Sequence, residues 1–304
     1  MEVKKSEEKT IATPHGVALC YDTFGDSDGR PLVLIIGLAT QMISWPESLC
    51  RMLAEAGHYV IRFDNRDNGR SAKMEHLGIP DLEKLMSDAE KGLDLDVPYT
   101  LSDMAADTVG LMDALKVDRA HVCGMSMGGM IGQIMALEQP ERLSGLISML
   151  STTSENDLPE STPAAKEAMM SSPPNTRAEY QTYIADMCRA FAGGSAYYDE
   201  PLQRELAGRA FDRGLYPQGF FRQMAAILAA EGRREKLRQV RVPTLVIHGD
   251  CDTVIPVAHG EDTARAIPGA RLRVISGLGH GPAFPDLWDE MVEVISDFTT
   301  TTIP

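Results

Sequence analysis

The 304-residue chain is short of several things, and each shortage removes a class of protein. It has no run of eighteen apolar residues, so no membrane-spanning helix is expected. Residues 1–9, M-E-V-K-K-S-E-E-K, lack the apolar core of a signal peptide. Positive charge is scarce: 29 Lys and Arg face 44 Asp and Glu, a formal charge of -15. Such a surface repels phosphate backbones and anionic headgroups, so neither nucleic acid nor membrane insertion is expected. The five cysteines (Cys20, Cys50, Cys123, Cys188, Cys251) are odd in number and form no C-x-x-C pair, which speaks against a disulfide framework or a zinc site. A reducing cytoplasm is the expected compartment. Dinucleotide fingerprint, phosphate-binding glycine loop and metal-ligand cluster are all missing, so no cofactor is expected. Oligomeric state is left open, with a homodimer as one option.

What is there reads as an ordinary soluble globular protein, 43% hydrophobic and 24% charged. Residues 16–24 alternate and end in the turn-rich G-D-S-D-G, predicting an antiparallel strand at a sheet edge. Residues 32–36, L-V-L-I-I, form a continuous apolar run of the kind buried on both faces of a parallel sheet. A helix over 46–56 and a strand over 59–63 follow, then a helix opening at Leu101-Ser102-Asp103 and another strand. A strand over 142–150 ends the first half. From Ser151 to about Arg238 no strand-like run occurs; Ser/Pro-rich stretches separate helical segments near 178–192 and 218–230. Strand and helix alternation resumes at 242–247, with a helix near 261–266, a strand at 272–275 and a closing helix at 287–298. The expected fold is therefore α/β, a doubly wound and mostly parallel sheet with a helical insertion after the sixth strand. The expected boundaries are 1–151 and 239–304 for the core and 152–238 for the insertion.

One stretch organises the rest. In residues 121–131, H-V-C-G-M-S-M-G-G-M-I, an apolar strand runs into G-x-S-x-G and resumes with helical spacing. A serine on such a turn is held in a strained backbone conformation and exposed, with small residues two positions either side where a side chain would collide. Ser126 is the candidate nucleophile. Because a hydroxyl is weak at neutral pH, it needs a base and a group that orients the base. Of seven histidines, His280 alone follows the last strand in a glycine-bracketed loop, S-G-L-G-H-G-P, and is the candidate base. His15, His58, His76, His121, His248 and His259 fit structural roles better. The orienting acid should follow a strand between these two, where H-G-D-C-D-T-V-I-P offers Asp250 and Asp252. Asp250 suits a turn-stabilising role, and Asp252, further past the strand, is the choice for the acid. The oxyanion requires backbone donors: the N–H of Met127 at the helix start, and that of Leu38 after the 32–36 strand.

With the order Ser126, Asp252, His280, the elbow G-M-S-M-G-G, the segment R-F-D-N-R-D-N-G-R-S (62–71) and the closing G-D-C-D-T-V-I-P, the chain resembles the α/β-hydrolase family. The loop G-L-A-T-Q-M-I-S-W-P (37–46) is similar to that of the branch holding aclacinomycin methylesterase and related bacterial carboxylesterases. The resemblance covers nearly the whole chain outside the insertion, which in that family acts as a cap. Many members carry a histidine before the oxyanion glycine, where this chain has Ile36. Asp64, Arg66 and Asp67 fall on a family turn that is usually structural.

The resemblance and the serine together imply a carboxylesterase that forms an acyl-enzyme on a small to medium hydrophobic ester, with a small molecule as its partner. C–C bond hydrolase, perhydrolase or haloperoxidase, and iminopeptidase remain alternatives on the same three residues, as does a non-enzymatic ligand receptor. An iminopeptidase would want carboxylates in the insertion, and Asp199-Glu200 is the available pair. Met169, Met170, Met187, Met224, Phe191, Tyr197, Tyr198, Phe211, Phe220 and Phe221 make the insertion a candidate for an adaptable apolar pocket.

Overall fold

In the computed structural model, which describes residues 3–302, the apolar runs form one eight-stranded sheet. The first half of the chain supplies β1 (Lys9–Ala12), β2 (Ala18–Phe24), β3 (Arg30–Ile35), α1 (Glu47–Glu55), β4 (His58–Phe63), α2 (Leu82–Glu90), α3 (Leu101–Ala114), β5 (Ala120–Met125), α4 (Met127–Glu138) and β6 (Leu143–Met149). Five helices follow without a strand: α5 (Pro163–Met170), α6 (Arg177–Phe191), α7 (Glu200–Arg213), α8 (Gln218–Leu228) and α9 (Arg234–Leu237). The chain then returns to the sheet through β7 (Thr244–Gly249), α10 (Ala258–Ala266), β8 (Arg271–Ile275) and α11 (Trp288–Thr301).

The spatial order is β1-β2-β4-β3-β5-β6-β7-β8. From β4 onward all neighbours are parallel, while β1 and β2 add an antiparallel margin. One expectation needs correction here: β2 is not at the edge, because β1 lies outside it. β1 is only four residues, K-T-I-A, mostly exposed, and too short and polar to produce an alternating pattern.

The 32–36 run is apolar throughout because both of its faces are covered. Leu32, Leu34 and Ile36 pack with Leu49, Cys50 and Leu53 of α1 and with Met291, Ile295 and Phe298 of α11. Val33 and Ile35 point the other way, into a cluster with Leu111 and Met112 of α3 and Ile131 and Met135 of α4. The start of α3 is fixed by a capping box, in which the Thr100 hydroxyl accepts from the Asp103 N–H and the Asp103 carboxylate accepts from the Thr100 N–H. In the inserted segment, Thr162, Thr176 and Asp199 cap α5, α6 and α7 by the same chemistry.

Parallel strands bring their C-terminal ends to one edge. Leu38 follows β3, Asp64 follows β4, Ser126 follows β5, Asp250 and Asp252 follow β7, and His280 follows β8.

Candidate active site

The turn at Ser126 exists because two glycines let backbones touch. A Cβ on Gly124 would stand 2.0 Å from the Gly128 carbonyl oxygen, and one on Gly128 would stand 2.2 Å from that of Ile35. Only with both absent can the first turn of α4 press against β5 and β3. Ser126 then takes φ 56 and ψ -122, a left-handed conformation costly for any residue with a side chain. The strain is held by the Ser126 N–H donating to Met149 O at 2.9 Å, and by the Ser151 hydroxyl donating to Ser126 O at 2.8 Å. The Ser126 side chain is half-buried, and among the described residues its hydroxyl has no hydrogen-bond partner.

At the end of β7 the two aspartates diverge. Asp252 is buried; its Oδ1 accepts from the N–H groups of Val254 (2.9 Å) and Ile255 (2.8 Å), and its Oδ2 lies 2.8 Å from His280 Nδ1. Asp250 is exposed and ties the β8 loop instead, accepting from Gly277 N–H at 2.6 Å and the Ser276 hydroxyl at 3.0 Å. The Gly277 bond holds the Asp250 carboxyl below its ordinary value. Because a carboxylate only accepts, His280 must carry its proton on Nδ1, leaving a lone pair on Nε2. Among the described residues Nε2 has no partner, and no direct hydrogen bond joins His280 to Ser126.

Two backbone donors flank the serine. Gly37 brings the β3 loop so close that a Cβ there would stand 3.2 Å from the Ser126 Cβ. Among the described residues, the N–H groups of Leu38 and Met127 have no acceptor.

The loop that carries Leu38 has no histidine under it, and amides take over its support. Asn65 donates from Nδ2 to Ile36 O at 3.0 Å. Gln223 on α8 accepts from Ala39 N–H at 2.7 Å and donates from Nε2 to Arg66 O at 2.8 Å. Gln41 donates from Nε2 to Ala210 O and Gly214 O at the end of α7. None of the three was singled out from the sequence. The available signal was the pair Arg222-Gln223 inside the otherwise apolar F-F-R-Q-M-A-A-I-L of α8, a polar pair on a face that is buried.

Asp64, Arg66 and Asp67 sit behind this edge in ion pairs. Arg213 holds Asp64 at 2.9 Å, Arg66 pairs with Asp107, and fully buried Arg222 meets Asp67 through two bonds of 2.8 and 2.9 Å. The other histidines do not contact Ser126, though His248 Nε2 also lies 3.6 Å from Asp252 Oδ2. His58 bonds Leu53 O and Thr299, His121 bonds Thr302, His248 bonds Ile255 O, and His259 bonds Thr152 and Pro159 O; His15 and His76 are exposed.

The inserted segment grips the same loops. Ala190 O accepts from the Thr253 hydroxyl at 2.7 Å, and Phe191 O accepts from His280 N–H at 3.0 Å. The Phe191 ring meets the His280 ring edge-on, 6.1 Å between centroids. Other apolar residues of the segment are used in packing or left exposed: Tyr180 lies on Phe211 within the segment, Phe220 and Met224 pack on Leu82 and Leu85 of α2 in the core, and Met170 is exposed. The acidic pair is spent as well, Asp199 capping α7 and Glu200 pairing with Arg189 and Arg204.

Comparison with known proteins agrees with this architecture. A family model described as the alpha/beta hydrolase fold matches residues 30–186, and the chain belongs to that family. It is 31% identical to rhodomycin D methylesterase of Streptomyces peucetius over 293 residues, covering 89% of this chain and 91% of the relative. It is 26% identical to 3-oxoadipate enol-lactonase 2 of Acinetobacter baylyi, over 88% of each chain. Among solved structures, the meta-cleavage product hydrolase of Pseudomonas fluorescens IP01 superposes with a TM-score of 0.75 at 20% identity, covering 97% of this chain and 98% of its own. At that identity the likeness concerns the fold. Ester hydrolysis of the α/β-hydrolase type is the activity class supported by the relatives. Among the described residues, no helix is long and apolar enough to cross a membrane, and no three His, Cys, Asp or Glu side chains are grouped as metal ligands.

Proposed function

We propose that the protein is a serine carboxylesterase acting on a small to medium hydrophobic ester, with Ser126 as nucleophile, His280 as general base and acid, and Asp252 as the orienting acid. The observation that carries the reading is the 2.8 Å pair of Asp252 and His280, with a free Nε2, at the edge where Ser126 is held in a strained turn. Ser126 Oγ attacks the ester carbonyl carbon while its proton passes to His280 Nε2. The carbonyl oxygen becomes an oxyanion and accepts hydrogen bonds from the N–H groups of Leu38 and Met127, the latter at the positive end of α4. His280 returns the proton to the departing alkoxide, leaving an acyl-Ser126 ester. A water then gives a proton to His280 Nε2 as its hydroxyl bonds to the acyl carbon; the acyl–Oγ bond breaks, His280 passes the proton to Ser126 Oγ, and the acid is released with both residues restored.

The 31% identity to a methylesterase supports methyl and other short alkyl esters of hydrophobic acids as first substrates, with residues 152–238 as a cap over the site. Five free cysteines support a reducing compartment, the cytoplasm. A fluorophosphonate probe should label the intact protein at Ser126, and Ser126→Ala should abolish both labelling and turnover of p-nitrophenyl esters. An unlabelled intact protein rules the esterase out. Rates should vary with acyl-chain length, and a flat series would remove the apolar pocket.

A further inference from the structure

We infer that Gln223, on inserted helix α8, is a positioning residue for the oxyanion hole. This rests on the serine esterase reading above. The Leu38 N–H belongs to the peptide joining Gly37 to Leu38. The peptide before it is held through Ile36 O by Asn65 Nδ2 at 3.0 Å, and the one after it through Ala39 N–H by Gln223 Oε1 at 2.7 Å. Fixing the planes on both sides fixes the direction of the donor between them. The fixing is needed, because Gly37 is free to rotate and Ala39 is held at φ 51, a left-handed conformation it would leave if released.

The Gln223 side chain is itself immobilised. It is fully buried, and its Nε2 donates to Arg66 O at 2.8 Å, which sets the amide with its oxygen toward Ala39. The helix beneath it is anchored by the neighbouring Arg222 on Asp67, and by Gly219, where a Cβ would stand 2.0 Å from Asp67 O. One amide thus joins the inserted segment, the β4 turn and the oxyanion loop. Glutamine suits the place because it must accept on one side and donate on the other.

The test compares the intact protein with Gln223→Met, similar in shape but unable to make either bond. The kcat per competent site, counted by end-point fluorophosphonate titration, should fall roughly tenfold to a hundredfold, up to the loss typical of a removed oxyanion donor. KM should stay within about twofold, because the lost contact acts in the transition state. Affinity for a trifluoromethyl ketone, whose adduct places an oxyanion in the hole, should fall by the same factor as kcat. A Met variant with unchanged kcat per site and a lower Tm would reduce Gln223 to a structural residue and overturn the inference. If Gln223→Met does not fold, Gln223→Asn, one methylene short, takes its place with the same expectations. An intact protein that neither labels nor turns over esters removes the esterase reading and this inference with it, whereas an active one with an indifferent Gln223 removes the inference alone.

Discussion

Exchanging Asp252 for asparagine should reverse the tautomer of His280 while keeping the backbone bonds of the acid loop. Oδ1 of Asp252 accepts from two N–H groups, those of Val254 and Ile255, at 2.9 and 2.8 Å. In Asp252→Asn the amide oxygen must keep that place, since an NH2 facing two donors would leave all of them unpaired. The amide nitrogen then takes the Oδ2 position, 2.8 Å from His280 Nδ1. There it donates, so Nδ1 must accept and the ring proton moves to Nε2, where a base is required. By analogy with the serine-protease triad, a base in the wrong tautomer costs about 10⁴ in kcat, or about 5 kcal/mol of barrier. The measurement is kcat and KM for a p-nitrophenyl ester together with the rate of fluorophosphonate labelling, and kcat and labelling should fall in parallel. Asp250→Asn is the control. Its bonds to Gly277 and Ser276 fasten the β8 loop from the solvent side, so Tm should drop while kcat stays within about tenfold. If Asp250→Asn lost more kcat than Asp252→Asn, the assignment of the acid would be wrong.

Two further outcomes follow from buried charge. Arg222→Met strands the Asp67 carboxylate without its buried partner and should cost roughly 3–5 kcal/mol, or roughly 5–8 °C in Tm by calorimetry; a shift below about 2 °C would show that the pair does not hold α8. Burial pushes both His58 and His121 down to about 4, against about 6.5 in an unfolded chain, so protons favour unfolding. Stability should therefore be complete above pH 6.5 and be lost as pH falls toward 4, by about 2 kcal/mol per histidine at pH 5. Urea midpoints at pH 7 and pH 5 test this, and a His58→Gln, His121→Gln double variant with an unchanged pH slope would refute it.

The parts of the molecule legible in the sequence are those with a local signature. The 32–36 run shows burial on two faces, and G-M-S-M-G-G shows a turn that tolerates no Cβ at either flank. The inserted segment was visible as an interruption, though α5, α7 and α9 within it were not: α5 and α7 open on one capping residue with a proline in the first turn, and α9 is four residues long with no side-chain cap. α2 was missed too, since its apolar contacts reduce to Leu82 and Leu85 on α8. What could not be read is what lies between distant residues. Gln223 reaches Ala39 across 184 positions and Arg213 reaches Glu8 across 205, and an amide or guanidinium has no periodicity to announce its partner.

Those distant contacts bear on how loops alone can hold reacting groups. Residues on connections between elements are mobile unless fastened, and a misplacement near 1 Å can cost a hundredfold in rate. Here three loops of the candidate site, those carrying Asp252, His280 and Leu38, are fastened by the inserted segment. The end of α6 takes the acid loop through Thr253 and the base loop through His280 N–H, and the following turn takes the base loop again through the Ser195 hydroxyl on Gly277 O. Gly193 lies against Cys251 O and Gly279 against Ala192, at separations that leave no room for a Cβ. The end of α7 takes the Leu38 loop through Gln41, and α8 takes it through Gln223. A segment that fastens all three loops cannot vary in sequence as freely as one that only covers them. On the proposed esterase reading, substitutions along α6 and α8 that alter a substrate pocket should also move Asp252, His280 and Leu38, so substrate choice and turnover should change together.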